Sequence, residues 1–105
     1  MSDSAGYAYV WTFTVRPEQA AAFEAAYGPG GAWAVLFRRA EGYVRTELHR
    51  DRADPARYLT IDYWTSESAW RAFRERFARE YESVDAACAA FTVEERAIGQ
   101  FEPVG

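Results

Sequence analysis

Hydrophobic and polar positions change period several times along this chain, and each change marks an element. From Tyr7 to Val15 the chain alternates at period two, which predicts a first strand. Tyr7, Tyr9, Trp11, Phe13 and Val15 take one face, and Ala8, Val10, Thr12 and Thr14 the other. Pro17 then suits a helix start, where its missing N–H costs nothing. Ala20, Phe23 and Tyr27 give that helix a buried stripe, and Gly28 ends it. Gly28-Pro29-Gly30-Gly31 is a breaker cluster; it follows a helix and lacks the Lys and Ser or Thr of a phosphate-cradling loop. Trp33, Leu36, Phe37 and Ala40 return at helical spacing, predicting a short second helical segment closed by Arg38 and Arg39 at the negative end of its dipole.

Gly42 to Arg50 is the second expected strand, with Tyr43, Arg45, Glu47 and His49 on one face. A turn at Asp51 to Ala56 leads into Arg57–Trp64, where Tyr58, Thr60, Asp62 and Trp64 alternate with Leu59, Ile61 and Tyr63. The two strands form an expected hairpin, with Arg45 opposite Asp62, Glu47 opposite Thr60, His49 opposite Tyr58 and Tyr43 opposite Trp64, or in a register shifted by two. After Trp64 the period changes again. Ala69, Trp70, Phe73 and Phe77 make a helical stripe, with Thr65 or Ser66 to cap it. Tyr81, Val84, Cys88 and Phe91 continue that stripe; Glu82 to Asp85 either let the helix run on or break it with Ser83 capping a second piece, and the break is the favoured reading. Phe91 to Phe101 is the last strand, and Gly99 marks a bulge or a close backbone approach.

Strand, helix with its extension, strand, strand, helix, strand is the order of the split β-α-β, ferredoxin-like α+β fold with an antiparallel four-stranded sheet. One domain is expected over residues 1–105, with its core at about 7–101. The helices can cover only one sheet face, yet apolar residues occupy both faces of the first and third strands. A homodimer packed sheet to sheet is the expected cover.

Composition narrows the functions. The net charge is −4, and all 12 basic residues are arginines dispersed among carboxylates. No basic stripe tracks a phosphate backbone, which argues against nucleic acid. Without lysine, Schiff-base catalysis is excluded. The single Cys88 forms no internal disulfide, in keeping with a reducing compartment, and it is read as core. No apolar run approaches the ~20 residues of a membrane span, and the N-terminus lacks a leader pattern. A cytoplasmic location is expected.

In the expected register one sheet face gathers Arg45, Glu47, His49, Thr60, Asp62 and Trp64, with Trp70 one turn into the helix. Such a pocket joins an apolar wall to an imidazole and carboxylates able to take a proton from a phenol or enol. Each has a plainer reading. Arg45 with Asp62 suits a cross-strand ion pair, His49 a solvated residue beside a turn, and the tryptophans suit core. His49, Thr60, Asp62 and Trp64 are the candidate catalytic residues; Tyr43, Arg45, Glu47, Trp70 and Phe73 are the candidate substrate contacts. No metal or other cofactor is called for.

A short helix before Gly42-Tyr43-Val44, then RYLTIDYW closed by Trp64, then SESAWRAF opening a helix, resembles the antibiotic biosynthesis monooxygenase (ABM) family of dimeric α+β barrels. The likeness runs from Tyr7 to Phe101. It implies a cofactor-free monooxygenase acting on a small hydrophobic aromatic substrate of phenolic, quinol or anthrone type. In the anthrone oxygenases of this family the strand-end tryptophan lines the pocket, and Trp64 matches it. An asparagine four residues earlier is replaced here by Thr60, whose hydroxyl lacks a carboxamide's paired donor and acceptor. The haem-degrading relatives need an axial histidine on the following helix, and this chain has none there. Two other functions share these residues: a non-redox cyclase or isomerase using His49 or a carboxylate as base, and a dimeric binding or accessory protein without turnover.

Overall fold

The computed structural model describes residues 4–105. Four strands, β1 (Tyr7–Val15), β2 (Tyr43–Arg50), β3 (Arg57–Trp64) and β4 (Thr92–Phe101), form one antiparallel sheet in the order β2-β3-β1-β4. Helices α1 (Ala20–Tyr27), α2 (Ala32–Phe37), α3 (Glu67–Arg76) and α4 (Ala78–Cys88) supply the connections. This is the ferredoxin-like α+β arrangement that the element order predicts.

Apolar periodicity explains which sheet face the helices cover. Phe13, Val15, Tyr58 and Trp64 are buried, and Trp11, paired with Thr60, lies on the same side. Phe23 and Tyr27 stack at 4.3 Å between ring centroids, and Phe13 meets both edge-on at 5.3 and 5.0 Å. Each such pair adds about 0.5–1.5 kcal/mol beyond burial of its area. The reverse face carries Val10, Leu59 and Ile61, all half-buried, with Ile98 and Phe101 exposed beside them.

The strand-to-helix junction at Trp64 is built as its residues dictate. Ser66 is the cap, its Oγ accepting from the Ala69 N–H at 3.1 Å. Arg74 and Arg76 occupy the last turn of α3, where the dipole favours cations. Gly42 closes the junction from the other side. Its φ of 89° is left-handed, and a Cβ there would stand 2.5 Å from the Ala69 Cβ.

Two expectations are corrected. The helix does not break at Glu82 to Asp85; α4 runs through Ser83, and the interruption falls at Phe77, whose φ of −108° and ψ of 29° leave the helical region. Tyr81 and Val84 pack against the core from an unbroken α4, so burial of the stripe keeps Ser83 helical. The β2–β3 register also differs. Tyr43 does pair with Trp64, but Val44 is then extra, and Arg45 pairs with Tyr63, Thr46 with Asp62 and Leu48 with Thr60. One bulged residue turns every later β2 side chain to the opposite face. Arg45, Glu47 and His49 therefore point away from the helices, which avoids burying three ionisable groups.

Gly99 meets its expectation: its φ is 156°, and Ile98 is skipped in the pairing of β4 with β1.

Candidate functional site

Between the sheet and the helices lies a cavity of about 190 Å³. Its floor is the helix-side face of β1 and β3. Tyr9 pairs with Asp62 there and Trp11 with Thr60, so alternation alone places an aromatic row beside a polar one. Trp64 ends the row, fully buried, with Phe37 and Phe73 packed on it at 5.7 and 5.2 Å. The roof comes from Trp70 on α3 and from Tyr81 and Asp85 on α4; the latter pair are one turn apart and so share a helix face.

Asp62 is the carboxyl that β3 sets in this chamber. It is half-buried and in contact with the cavity, and burial pushes its carboxyl up to about 6. Thr46 opposes that rise by donating to Oδ1 at 2.7 Å, and the Tyr43 hydroxyl joins Thr46 Oγ1 at 2.8 Å. A carboxyl held near neutrality, fed by a two-hydroxyl chain, can accept a proton from a weak acid in the cavity and return it. The neighbouring phenols stay neutral, because burial raises both Tyr27 and Tyr81. Trp33 and Trp64 line the chamber, and their indole N–H groups have no hydrogen-bond partner among the described residues. The Trp33 N–H lies near enough to the Tyr27 oxygen to favour its ionised form, yet makes no bond of proper geometry to it.

The structure thus brings together Thr60, Asp62, Trp64 and Trp70, as the sequence predicts. Tyr43 and Phe73 stand behind the wall, packed on Trp64 at 5.4 and 5.2 Å rather than lining the cavity. Arg45, Glu47 and His49 lie on the reverse sheet face. Glu47 accepts from Arg45 Nε and pairs with His49 Nε2, each at 3.1 Å, and both neighbours hold its carboxyl below the usual range. The expected Arg45–Asp62 ion pair does not form; Arg45 instead sits 3.9 Å over the Tyr63 ring. Thr46, Tyr81, Asp85 and Glu95 also belong to the site and were not among the sequence candidates. Tyr81 and Asp85 carried a usable signal in their i, i+4 spacing on the stripe of α4. Thr46 carried none until the bulge was known.

Fold and chamber together define a class: small ferredoxin-like α+β proteins that hold an aromatic cavity between the sheet and its helices. The chain belongs to the antibiotic biosynthesis monooxygenase family, which it matches over residues 7–83, and that membership supports a monooxygenase-type function. Solved structures of similar fold include a putative antibiotic biosynthesis monooxygenase from Bordetella bronchiseptica, at 23% identity and TM-score 0.76, covering 96% of this chain and 99% of that one. A monooxygenase from the gene ActVA-Orf6 of Streptomyces coelicolor, in complex with nanaomycin D, has 24% identity and TM-score 0.73, covering 96% and 89%. SnoaB, a cofactor-independent oxygenase from Streptomyces nogalater, has 24% identity and TM-score 0.69, covering 97% and 96%. No curated protein matches the chain. Among the described residues no helix is long and apolar enough to cross a membrane.

Proposed function

We propose that the protein is a cofactor-independent monooxygenase acting on a phenolic, quinol or anthrone-like aromatic molecule. The observation that carries this reading is Asp62, a carboxylate of raised proton affinity set between Thr60 and Trp64 in an aromatic chamber. Asp62 removes a proton from the activated CH2 of an anthrone-type ring, and the carbanion is spread over the aromatic system. That electron-rich anion reduces O2 directly, and the radical pair combines to a C–O–O− peroxide, which takes the proton back from Asp62. Loss of the second C–H proton, with cleavage of the O–O bond, gives C=O and water. One oxygen atom enters the product and the other leaves as water, so no external reductant is needed. In this reading the Thr60 hydroxyl, which lines the cavity beside Asp62, hydrogen-bonds developing oxygen anions.

Oxygen uptake against a panel of anthrones and quinols tests the reading, with Asp62→Asn expected to lose about 10²–10⁴-fold in rate. Product formed equally fast without oxygen supports the second reading, a cyclase or isomerase using the same base. Thr60 in place of the family asparagine favours that alternative.

A homodimer completes the proposal. Val10, Leu59 and Ile61 form an apolar strip flanked by Arg45 and Glu47 on one side and by Glu94 and Arg96 on the other. Charges of both signs around an apolar centre suit a two-fold axis, where one patch must complement itself. Light scattering at micromolar concentration is expected to give twice the chain mass; a monomer there removes the dimer.

A further inference from the structure

The charges around the cavity are arranged unevenly. Its charged lining is Asp62 from β3, Asp85 from α4 and Glu95 from β4, and among the described residues no arginine or histidine joins them. Neither Asp85 nor Glu95 is in an ion pair there; Glu95 accepts only from Thr92, at 3.0 Å. Both carboxylates oppose ionisation of Tyr27 and Cys88, so they share that part of the chamber, and Asp85 reaches Tyr81 as well. Asp62 stands apart from Glu95: it pairs with Tyr9, whereas Glu95 pairs with Phe13, and four residues of β1 span roughly 13 Å.

Arg74 lies 4.0 Å over the Tyr81 ring and 5.7 Å from Trp70, which itself packs on Tyr9 at 5.0 Å. Its position shows that the aromatic rim already holds a guanidinium by its ring faces. An elongated ligand therefore meets a single carboxyl of raised proton affinity at Asp62 and two unpaired carboxylates where Asp85 and Glu95 stand.

We propose that the cavity takes an aromatic phenol bearing a protonated amine at its far end, with the phenolic end at Asp62 and the ammonium between Asp85 and Glu95. The orientation rests on the monooxygenase reading above; the charge preference does not. A ring about three fused rings long covers the span, and its ammonium supplies the partner that both mouth carboxylates lack. A carboxylate at the same place meets two like charges, and a neutral substituent meets neither gain nor loss.

Calorimetric titration of the full chain near neutral pH and low salt tests this, using a three-ring aminomethyl-anthracenol, the matching methyl-anthracenol and the matching anthracenol carboxylate as probes. The expected order of affinity is amine, methyl, carboxylate, with the amine about tenfold tighter than the carboxylate and the gap shrinking in high salt. Asp85→Asn combined with Glu95→Gln should bring the three probes within about twofold of one another, while Glu94→Gln, on the reverse face, leaves the order intact. The proposal is overturned by a carboxylate that binds as tightly as the amine, by a preference that survives the double substitution, or by failure of all three to bind. Preference without oxygen uptake removes the monooxygenase reading alone; uptake without preference removes this one alone.

Discussion

Replacing Asp62 by Asn should make the protein more stable at neutral pH while slowing the proposed oxygenation. In the native state this carboxyl is raised from its ordinary value of 3.8 to about 6, mainly by burial. Between those values the folded chain binds the proton and the unfolded chain does not. Stability therefore falls as pH rises through that window and stays lowered above it. At about 1.36 kcal/mol per decade of proton affinity the cost reaches about 3 kcal/mol. Water in the open cavity screens part of it, leaving about 1–3 kcal/mol at pH 7. Asn keeps an oxygen to accept the Thr46 hydroxyl and carries no charge to desolvate. The variant should gain ~5–15 °C in Tm near pH 7, a gain that fades to nothing near pH 4. Thermal melts by circular dichroism, run on both proteins from about pH 4 to pH 8, read the difference directly. A gap that is flat with pH, or a variant that melts lower at neutral pH, would refute the placement of Asp62 in a desolvating site.

Three further outcomes follow from the same geometry. Thr46→Val removes the donor to Asp62, so the acid limb of the pH–rate profile of the proposed reaction, expected near 6 in the parent, should move to higher pH; an unmoved limb contradicts the hydroxyl chain. His49→Ala should leave turnover within about twofold, because the ring lies on the reverse face beside Glu47, and a larger loss would mean the register is wrong. Ser66→Ala should cost about 1 kcal/mol by denaturant titration, with unchanged substrate affinity, since it removes only the cap of α3.

Much of the fold was legible in the chain, and the limits of that reading have definite causes. β3 runs from Arg57 to Trp64, as its alternation indicates, because tyrosine, threonine and tryptophan positions two apart leave no other element. The interruption at Phe77 was hidden, since no Gly or Pro marks it and a buried aromatic is compatible with either conformation. Ser83 drew the break to the wrong place because a capping residue in mid-helix looks like a start. The site was half visible. Thr60, Asp62, Trp64 and Trp70 follow from one strand and one helix, both of which keep regular periods. Arg45, Glu47 and His49 were assigned to the chamber by assuming a straight hairpin. Val44 is an ordinary β-branched residue, and nothing local shows that it bulges. Only the tertiary cost of enclosing three charged groups forces the extra residue.

The skipped Ile98 and the extended Gly99 have an effect beyond the site. They interrupt the regular ladder of β4, the outermost strand on that side, and its neighbours Glu94, Glu95 and Arg96 line the approach with charge. A strand so bent is a poor template for further backbone pairing. Growth by adding strands sideways is stopped there, so whatever covers the oily reverse face, this margin resists recruitment into open-ended fibrils.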